Sequence, residues 1–400
     1  IPCGPATPSA HFHRMRQRVT IMPLRDGERI VGTLVSVEDV TARMDQERGP
    51  RKDPDGLKPG KAFSPGRDFP PPSDAAPLLQ AISDQSWRVR KEAVTGLIQH
   101  GGPEAITGLL RTLRKEHENF SALNSALEVL TFNRVDVLPA LLELLGDSDP
   151  DLRIYVAQLL GDKGDTRAVP ALIGALADDD TNVRYHAVES LGKLRAVESI
   201  EPLLEVIDSG DFYLSFPAID ALKKIGDPRV APRLVPHLKD DLLSAPTAEL
   251  LGSLGDEEVV RPLVDLLNEP GAQTIVLSQS LMALRNRYAD LYDEGKHIAD
   301  LAARYMNATG TRNLLDALPH ARDEEMRPLI TVLGWLEGPA VEQALTRLLG
   351  HPEARTEVVE ALIRHGGRVT TLLTAQLQSE DLEIRYAAAI ALGRIGDARA

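Results

Sequence analysis

Histidine and cysteine are the residues of this chain most able to bind a metal ion, and their spacing offers one candidate site. His11 and His13 alternate along a predicted extended segment, and the single cysteine, Cys3, precedes them. Two imidazoles and a thiolate are ligands that suit zinc. The other histidines form no H-E-x-x-H pair, and the sequence contains neither a Walker motif nor a dinucleotide-binding glycine motif. We therefore expect no catalytic residues, no resident metal and no cofactor.

A helical pattern repeats along most of the chain and determines where functional side chains can lie. Within residues 178–207, Val183, Ala187 and Leu191 fall on one face of a helix, and a second apolar stripe follows at 200–207. The pattern returns about every 31 residues. A helix pair of this size cannot bury its own apolar face, so the repetition predicts an all-α solenoid of stacked hairpins. The ten units begin at Val89, Ala122, Leu152, Val183, Leu214, Leu243, Val276, Glu325, Ala354 and Ile384.

Aspartate, glycine and proline recur in the turns at positions that suit helix ends. Aspartates that can cap the first helix of a unit are Asp84, Asp149, Asp180, Asp211 and Asp381. Gly-Asp pairs, in which glycine suits a left-handed helix exit, are Gly164-Asp165, Gly226-Asp227, Gly255-Asp256 and Gly396-Asp397. Prolines near the start of the second helix, where a missing N–H costs little, are Pro170, Pro202, Pro232 and Pro262.

These units carry a recognisable consensus. It is present as Val183-Arg184, Leu191-Gly192, Gly164-Asp165 and Ala168-Val169-Pro170. The pattern resembles the HEAT-like repeats first described in phycobilin lyases. The resemblance covers residues 78–400 and implies an α-α superhelix of about ten HEAT-like helical hairpins.

The resemblance also implies two enzymatic activities, a lyase and a hydroxylase. A bilin lyase, or another chromophore-handling subunit, is the alternative function that the repeat type implies. Another family with HEAT-like repeats is a di-iron hydroxylase, which uses several His-Glu pairs at matching repeat positions. This chain has a single such pair, His117-Glu118, which argues against hydroxylation.

Arginine and histidine also recur at matching repeat positions. The arginines are Arg90, Arg153, Arg184 and Arg385. Such a row could bind a carboxylate-bearing partner or a tetrapyrrole propionate, but partly buried arginine is usually paired, so we expect a ladder of ion pairs with turn aspartates. His100 and His365 end equivalent helices, where an imidazolium interacts favourably with the helix dipole, and we expect a structural role.

The seventh unit contains an insertion. The step from Val276 to Glu325 is about 18 residues longer than the usual period, and the extra residues lie within the segment 288–310. Insertions in solenoids emerge at one edge and often carry recognition, although an extra helix that packs over the seam would explain the same residues. The candidate partner-binding residues here are Tyr288, Tyr292 and Tyr305.

A second aromatic group starts the fifth unit. It comprises Phe212, Tyr213 and Phe216, with Pro217 directly after them inside the expected helix. A distorted first turn would expose these rings to a partner, whereas core packing is the alternative explanation.

The first 77 residues follow a different pattern. Residues 17–24 and 30–37 alternate like two strands around an Asp26-Gly27 turn, which predicts a β-hairpin. With Pro23-Leu24, Gly32 and Asp39-Val40-Thr41, this hairpin resembles the closing edge of a PAS sensory domain. Residues 1–48 are thus interpreted as the C-terminal part of a PAS-like domain, a generic hairpin being the alternative. Residues 49–77 contain eight prolines and predict a flexible linker.

Charge and composition favour a protein partner. A net charge of −14 argues against nucleic-acid binding, and no apolar run is long enough to span a membrane. One cysteine in the chain fits a reducing cytoplasm. We therefore expect a non-catalytic protein–protein interaction scaffold, linked to a PAS sensory module in bacterial-type signal transduction.

Overall fold

The computed structural model describes the backbone of residues 17–26, 29–39, 75–115 and 119–397, and the side chains of residues 75–114 and 119–397. The chain divides into two compact units, Ile1–Phe69 and Pro70–Ala400.

The first unit contains the predicted hairpin. Strand β1 (Gln17–Asp26) pairs antiparallel with β2 (Arg29–Asp39), and the register shifts once, between Leu24 and Arg25. The two predicted strands are therefore confirmed. The candidate metal ligands Cys3, His11 and His13, the turn at Gly27 and the Pro-rich segment before residue 75 lie outside the described residues.

The second unit is a superhelix of helical hairpins, as the repeat pattern predicts. It begins with a short helix, α1 (Ala76–Ala81). The first helices of the ten repeats are α2 (Trp87–His100), α4 (Phe120–Phe132), α6 (Pro150–Lys163), α8 (Thr181–Leu194), α10 (Phe212–Ile225), α12 (Ser244–Leu254), α14 (Thr274–Tyr292), α17 (Asp323–Leu333), α19 (Arg355–His365) and α21 (Leu382–Ile395).

The second helices are shorter and alternate with the first ones. They are α3 (Pro103–Lys115), α5 (Leu138–Leu144), α7 (Val169–Ala175), α9 (Ile200–Asp208), α11 (Ala231–Leu234), α13 (Val260–Leu267), α16 (Ala308–Ala317), α18 (Pro339–Arg347) and α20 (Thr370–Gln376). Helix α11 continues as a 3₁₀ segment, Val235–Lys239. None of the described helices is both long and apolar enough to cross a membrane.

One continuous apolar core runs through the stack, from Ile82 to Leu392. Consecutive first helices pack directly on each other, as α8 does on α6 and α10 does on α8. Most positions that define the repeat are buried, among them Val183 and Leu191, whereas Val89 at the start of the first repeat is 42% exposed. Each hairpin therefore buries its apolar face only by stacking on its neighbours.

Glycine allows the first helices to approach closely. Gly161, Gly192 and Gly252 each lie third from the end of a first helix. A Cβ atom added at Gly192 would lie 2.8 Å from the Cα of Ala221 on the next helix, and one at Gly252 would lie 2.6 Å from the Cα of Ser280. Any larger side chain at these positions would separate the stacked backbones.

The predicted caps hold at four of the five first helices. Asp84 differs, because it accepts a hydrogen bond from the Ser86 backbone N–H ahead of the helix rather than capping it. The aspartates that accept from amides of the first turn are Asp149, Asp180, Asp211 and Asp381.

The left-handed exits hold at three of the four Gly-Asp pairs, those at Gly164, Gly226 and Gly396. At Gly255 the prediction is wrong, since its φ is −64°. Glycine is needed there for space, because a Cβ would lie 2.6 Å from the Leu251 carbonyl oxygen and 2.7 Å from a methyl of Val259.

Helix α10 continues through Pro217. The Leu214 and Ser215 N–H groups both donate to the Asp211 carbonyl, at 3.0 and 2.8 Å, so the first turn is tightened. Pro217 itself is buried and lies inside the helix. The distortion expected from proline is thus confined to the first turn.

The extra residues of the seventh repeat extend one helix and add another. Helix α14 runs on to Tyr292, and the added helix α15 (Gly295–Tyr305) packs on α13 and α14. Its buried residues include Ile298, Ala299 and Ala302. The insertion therefore forms a regular helix that packs over the junction between the sixth and seventh repeats.

A candidate partner-binding edge on repeats four to six

The first helices of adjacent repeats start side by side, and the turns before them are strongly acidic. Residues 147–151, 178–181, 208–211 and 239–242 contain ten aspartates and one lysine. Several of these carboxylates cap the helices that follow. The result is a row of negative charge along one edge of the stack.

Exposed aromatic rings lie next to this acidic row. Phe212, Tyr213 and Phe216 expose 47%, 49% and 52% of their surface. On a helix, residues three and four apart are neighbours, so the three side chains form one patch at the start of α10. They do not fill the core, which is made by Leu214, Ala218 and other residues of the same helix.

A tyrosine from the preceding repeat extends the patch. The ring centroids of Tyr185 and Tyr213 are 5.4 Å apart, and the Tyr213 hydroxyl donates to the Asn182 Oδ1 at 3.2 Å. Burial, aided by the nearby Glu189 carboxylate, raises the pKa of Tyr185. Tyr185 is therefore a neutral aromatic surface at physiological pH.

Leu242 continues the patch into the sixth repeat, and 61% of its surface is exposed. It occupies the position that Tyr213 holds one repeat earlier. We call the aromatic edge the surface formed by Tyr185, Phe212, Tyr213, Phe216 and Leu242 with the acidic turns beside them.

Sequence reasoning found three residues of this edge and missed Tyr185 and Leu242. A signal for both was present, because Tyr185 lies one period before Phe216 and Leu242 one repeat after Tyr213. Aligning the repeats would have placed the five side chains in three columns, all within two residues of the unit start.

The arginine ladder forms in part. The Arg153 Nε and Nη2 both donate to the Asp178 carboxylate at 2.8 Å, and the pair is mostly shielded from solvent. Arg184 lies 3.9 Å from Asp211, a long and half-exposed contact. The other two arginines bind backbone carbonyls of their own turns, and these are Arg90 and Arg385. Of these four arginines, Arg153 alone makes a close ion pair with a neighbouring repeat. Arg355, at the matching position of the ninth repeat, makes another with Glu383 at 2.6 Å.

The insertion tyrosines lie apart from the aromatic edge. Tyr288 and Tyr292 are in the last turns of α14, whereas the aromatic edge is formed mainly by residues at helix starts. The Tyr288 hydroxyl accepts from the Glu257 backbone N–H at 3.0 Å, and its ring centroid lies 5.4 Å from that of Tyr292. Tyr305 is half-buried on α15, with the Arg261 guanidinium 5.8 Å from its ring centroid. The structure thus divides the six predicted residues into two separate groups.

The two histidines at equivalent positions have different environments. His100 is exposed, while His365 is buried. Burial lowers the pKa of His365, and the Glu342 carboxylate, 3.7 Å away, opposes this shift without overcoming it. The expected imidazolium is therefore wrong at His365.

No group of side chains among the described residues could hold a metal ion. The His117-Glu118 pair is outside the described residues. The aromatic edge combines apolar contact area with negative charge, an arrangement that suits binding of a partner rather than catalysis.

Comparison with protein families identifies the repeats directly. Residues 138–215 match the HEAT repeat model, and residues 384–400 match the PBS lyase HEAT-like repeat. The chain therefore carries HEAT repeats in an α-solenoid. A comparison with curated proteins gave no match.

Solved structures show the same fold. Kap95p, solved in a complex with RanGDP, matches with a TM-score of 0.51 at 12% identity over 81% of this chain and 50% of that one. This chain therefore spans about half the length of Kap95p.

Two shorter proteins also match. The CpcE–CpcF complex of phycocyanin lyase from Nostoc sp. PCC7120 has a TM-score of 0.35 at 20% identity, over 64% of this chain and 92% of that chain. An engineered protein has a TM-score of 0.45 at 19% identity, over 81% of this chain and 99% of that chain.

Proposed function

We propose that this chain is a non-catalytic scaffold that binds a protein partner through the edge of its HEAT repeats. The observation that carries the proposal is the contiguous patch of half-exposed aromatic rings at the start of α10. Contiguous apolar patches on a folded surface mark interaction sites, whereas apolar residues exposed singly are common. Aromatic residues are also enriched where interfaces concentrate binding energy.

The solenoid is further proposed to act behind a sensory module in bacterial-type signal transduction. Residues 1–48 are assigned to the end of a PAS-like domain, residues 49–77 to a linker and residues 78–400 to the scaffold. The last two linker residues, Ala76 and Pro77, lie in helix α1, so the scaffold begins slightly earlier than the sequence predicts. The paired strands β1 and β2 support the first assignment, since a PAS domain ends in such a hairpin. The single cysteine supports a cytoplasmic location.

The second candidate function is a bilin lyase or chromophore-handling subunit. The match of residues 384–400 to the PBS lyase HEAT-like repeat favours it. This repeat occurs on a fold that serves many tasks, so the repeat alone does not define the chemistry.

Site-specific photo-crosslinking in cells of the source organism tests the scaffold directly. A benzophenone amino acid replaces Phe216 on the aromatic edge, Tyr292 on the insertion, or exposed Phe132 on α4 as a control. We expect one defined protein to be cross-linked from position 216 or 292 and none from position 132. Absence of any cross-linked protein, together with a tetrapyrrole absorbance that copurifies with the chain, would contradict the scaffold and favour the lyase.

A further inference from the structure

We propose that the aromatic edge binds an extended basic segment of the partner, with lysine or arginine at about every third residue and bulky apolar side chains between them. This inference rests on the proposed scaffold function and specifies the chemistry of the partner. The exposed rings supply the attraction, and the acidic turns select the sign of the partner's charge.

The aromatic rings can bind a partner through the electrostatic potential of their faces as well as through apolar contact area. Tyr185 and Tyr213 are tilted against each other, and Phe212 and Phe216 lie one helical turn apart. The face of an aromatic ring carries negative electrostatic potential and attracts guanidinium and ammonium groups. The same patch can therefore accept both apolar and cationic side chains.

The charge beside the rings is only partly neutralised within the chain. Of the ten turn aspartates, Asp147, Asp178 and Asp208 pair with basic side chains of the chain. Asp179 and Asp241 are exposed and are not among the carboxylates that form ion pairs within the described residues. The Asp211 carboxylate is 3.9 Å from its nearest guanidinium, that of Arg184. The edge thus has surplus negative charge that a basic segment would neutralise.

The spacing of the repeats determines the spacing expected in the partner. Adjacent packed helices are about 10 Å apart, so an acidic turn recurs along the edge at about that interval. A chain in the extended polyproline II conformation advances about 3.1 Å per residue with three residues per turn, so side chains three residues apart lie on one face and span one repeat. A basic residue at every third position would meet successive acidic turns.

Other ligands fit this surface less well. Nucleic acids and anionic lipid surfaces would be repelled by the aspartates. A second copy of this chain would bring the same acidic edge against itself. Small anions are excluded from the start of α8 and α10, because Asp180 and Asp211 already accept from the first-turn amides.

Selection from a phage-displayed library of random peptides, with the full chain immobilised, tests the proposal. Variant Phe212→Ser/Phe216→Ser serves for counter-selection. We expect enriched peptides with lysine or arginine spaced by three and apolar residues between. Fluorescence anisotropy of one enriched peptide should show binding that weakens as salt rises. Enrichment of acidic or uncharged sequences would overturn the proposal.

Matched variants locate the binding. Phe212→Ser/Phe216→Ser and Asp179→Asn/Asp241→Asn should each weaken binding of that peptide by about tenfold or more. The control is Trp87→Ser, because Trp87 is likewise an exposed ring at the first position of a first helix. Circular dichroism confirms that each variant is folded. Equal weakening by the control would contradict the assigned surface.

The outcomes separate this inference from the proposed function. A protein cross-linked only from position 292, with no enrichment of basic peptides, would overturn both the inference and the assignment of the binding surface to the aromatic edge, and would leave only the scaffold role standing. Enriched basic peptides without any cross-linked cellular protein would support the chemistry of the edge and contradict the scaffold.

Discussion

The two ends of the first helices differ in what their side chains do. Near the C-terminal end, Gly192 and Gly252 bring neighbouring helices into contact so close that a methyl group would collide with backbone atoms. At the N-terminal end, Phe212 and Phe216 are half-exposed and the Tyr213 hydroxyl contacts Asn182 of the adjacent repeat. The C-terminal end brings the helix backbones into their closest contact, and the N-terminal end also presents side chains to solvent.

This difference means that stability and recognition can be changed separately. Substitutions near the glycines should affect the free energy of unfolding, whereas substitutions of the exposed rings should affect binding. The predictions below test that separation, from the largest expected effect on stability to the smallest.

Gly192→Ala should destabilise the chain by about 3 kcal/mol, because the added methyl would lie 2.8 Å from the Ala221 Cα and the backbone must move. Gly174→Ala is the control, since a Cβ there meets nothing within 4 Å. Alanine is the better helix former, so the control should be neutral or stabilising by up to about 1 kcal/mol. Urea denaturation followed by circular dichroism measures both, and equal effects would refute the close-contact account.

Arg153→Ala should cost about 2 kcal/mol, because it leaves the shielded Asp178 carboxylate without its bidentate partner. Arg184→Ala, at the matching position of the next repeat, should cost less than about 1 kcal/mol, since its contact with Asp211 is long and half-exposed. The same urea titration compares them. Similar losses of unfolding free energy in the two variants would contradict the claim that the short, shielded ion pair of Arg153 stabilises more than the long one of Arg184.

The stabilisation from Arg153 should also depend on pH. Burial alone would raise the pKa of Asp178, but hydrogen bonds from Arg153 and from the Asp180 N–H, with the charge of Arg153, hold it below its usual value. A carboxyl whose pKa is lower in the folded state stabilises fully above its unfolded pKa and loses this contribution as the pH falls through the folded value. The stability difference between wild type and Arg153→Ala should therefore shrink in acid. A difference that stays constant with pH would contradict this assignment.

The regular part of the fold could be predicted from the sequence because its cause is local and repeated. The apolar stripes that define the period, including Val183 and Leu191, are the residues that the stack buries. The aspartates marked as caps do accept from first-turn amides at Asp180 and Asp211. These features depend on a few neighbouring residues, which sequence patterns describe well.

The candidate site could be predicted only in part, because its contacts cross between repeats. Tyr185 belongs to the edge only through its ring contact with Tyr213, and neither residue's own repeat indicates this. His100 and His365 show the same limit, since each is followed by two glycines yet only the second is buried. Packing by other repeats, rather than local sequence, decides such environments.

The smallest effect on stability is expected at the aromatic edge, and the double variant Phe212→Ser/Phe216→Ser tests the central claim most directly. Both rings are half-exposed, so the free energy of unfolding should fall by less than about 1 kcal/mol per ring. Urea denaturation and cross-linking from position 213 are measured on the same full-length protein, and the cross-link formed by the unsubstituted chain should disappear. A chain that loses several kcal/mol of stability yet keeps its cross-linked partner would show that these rings support the fold and do not bind.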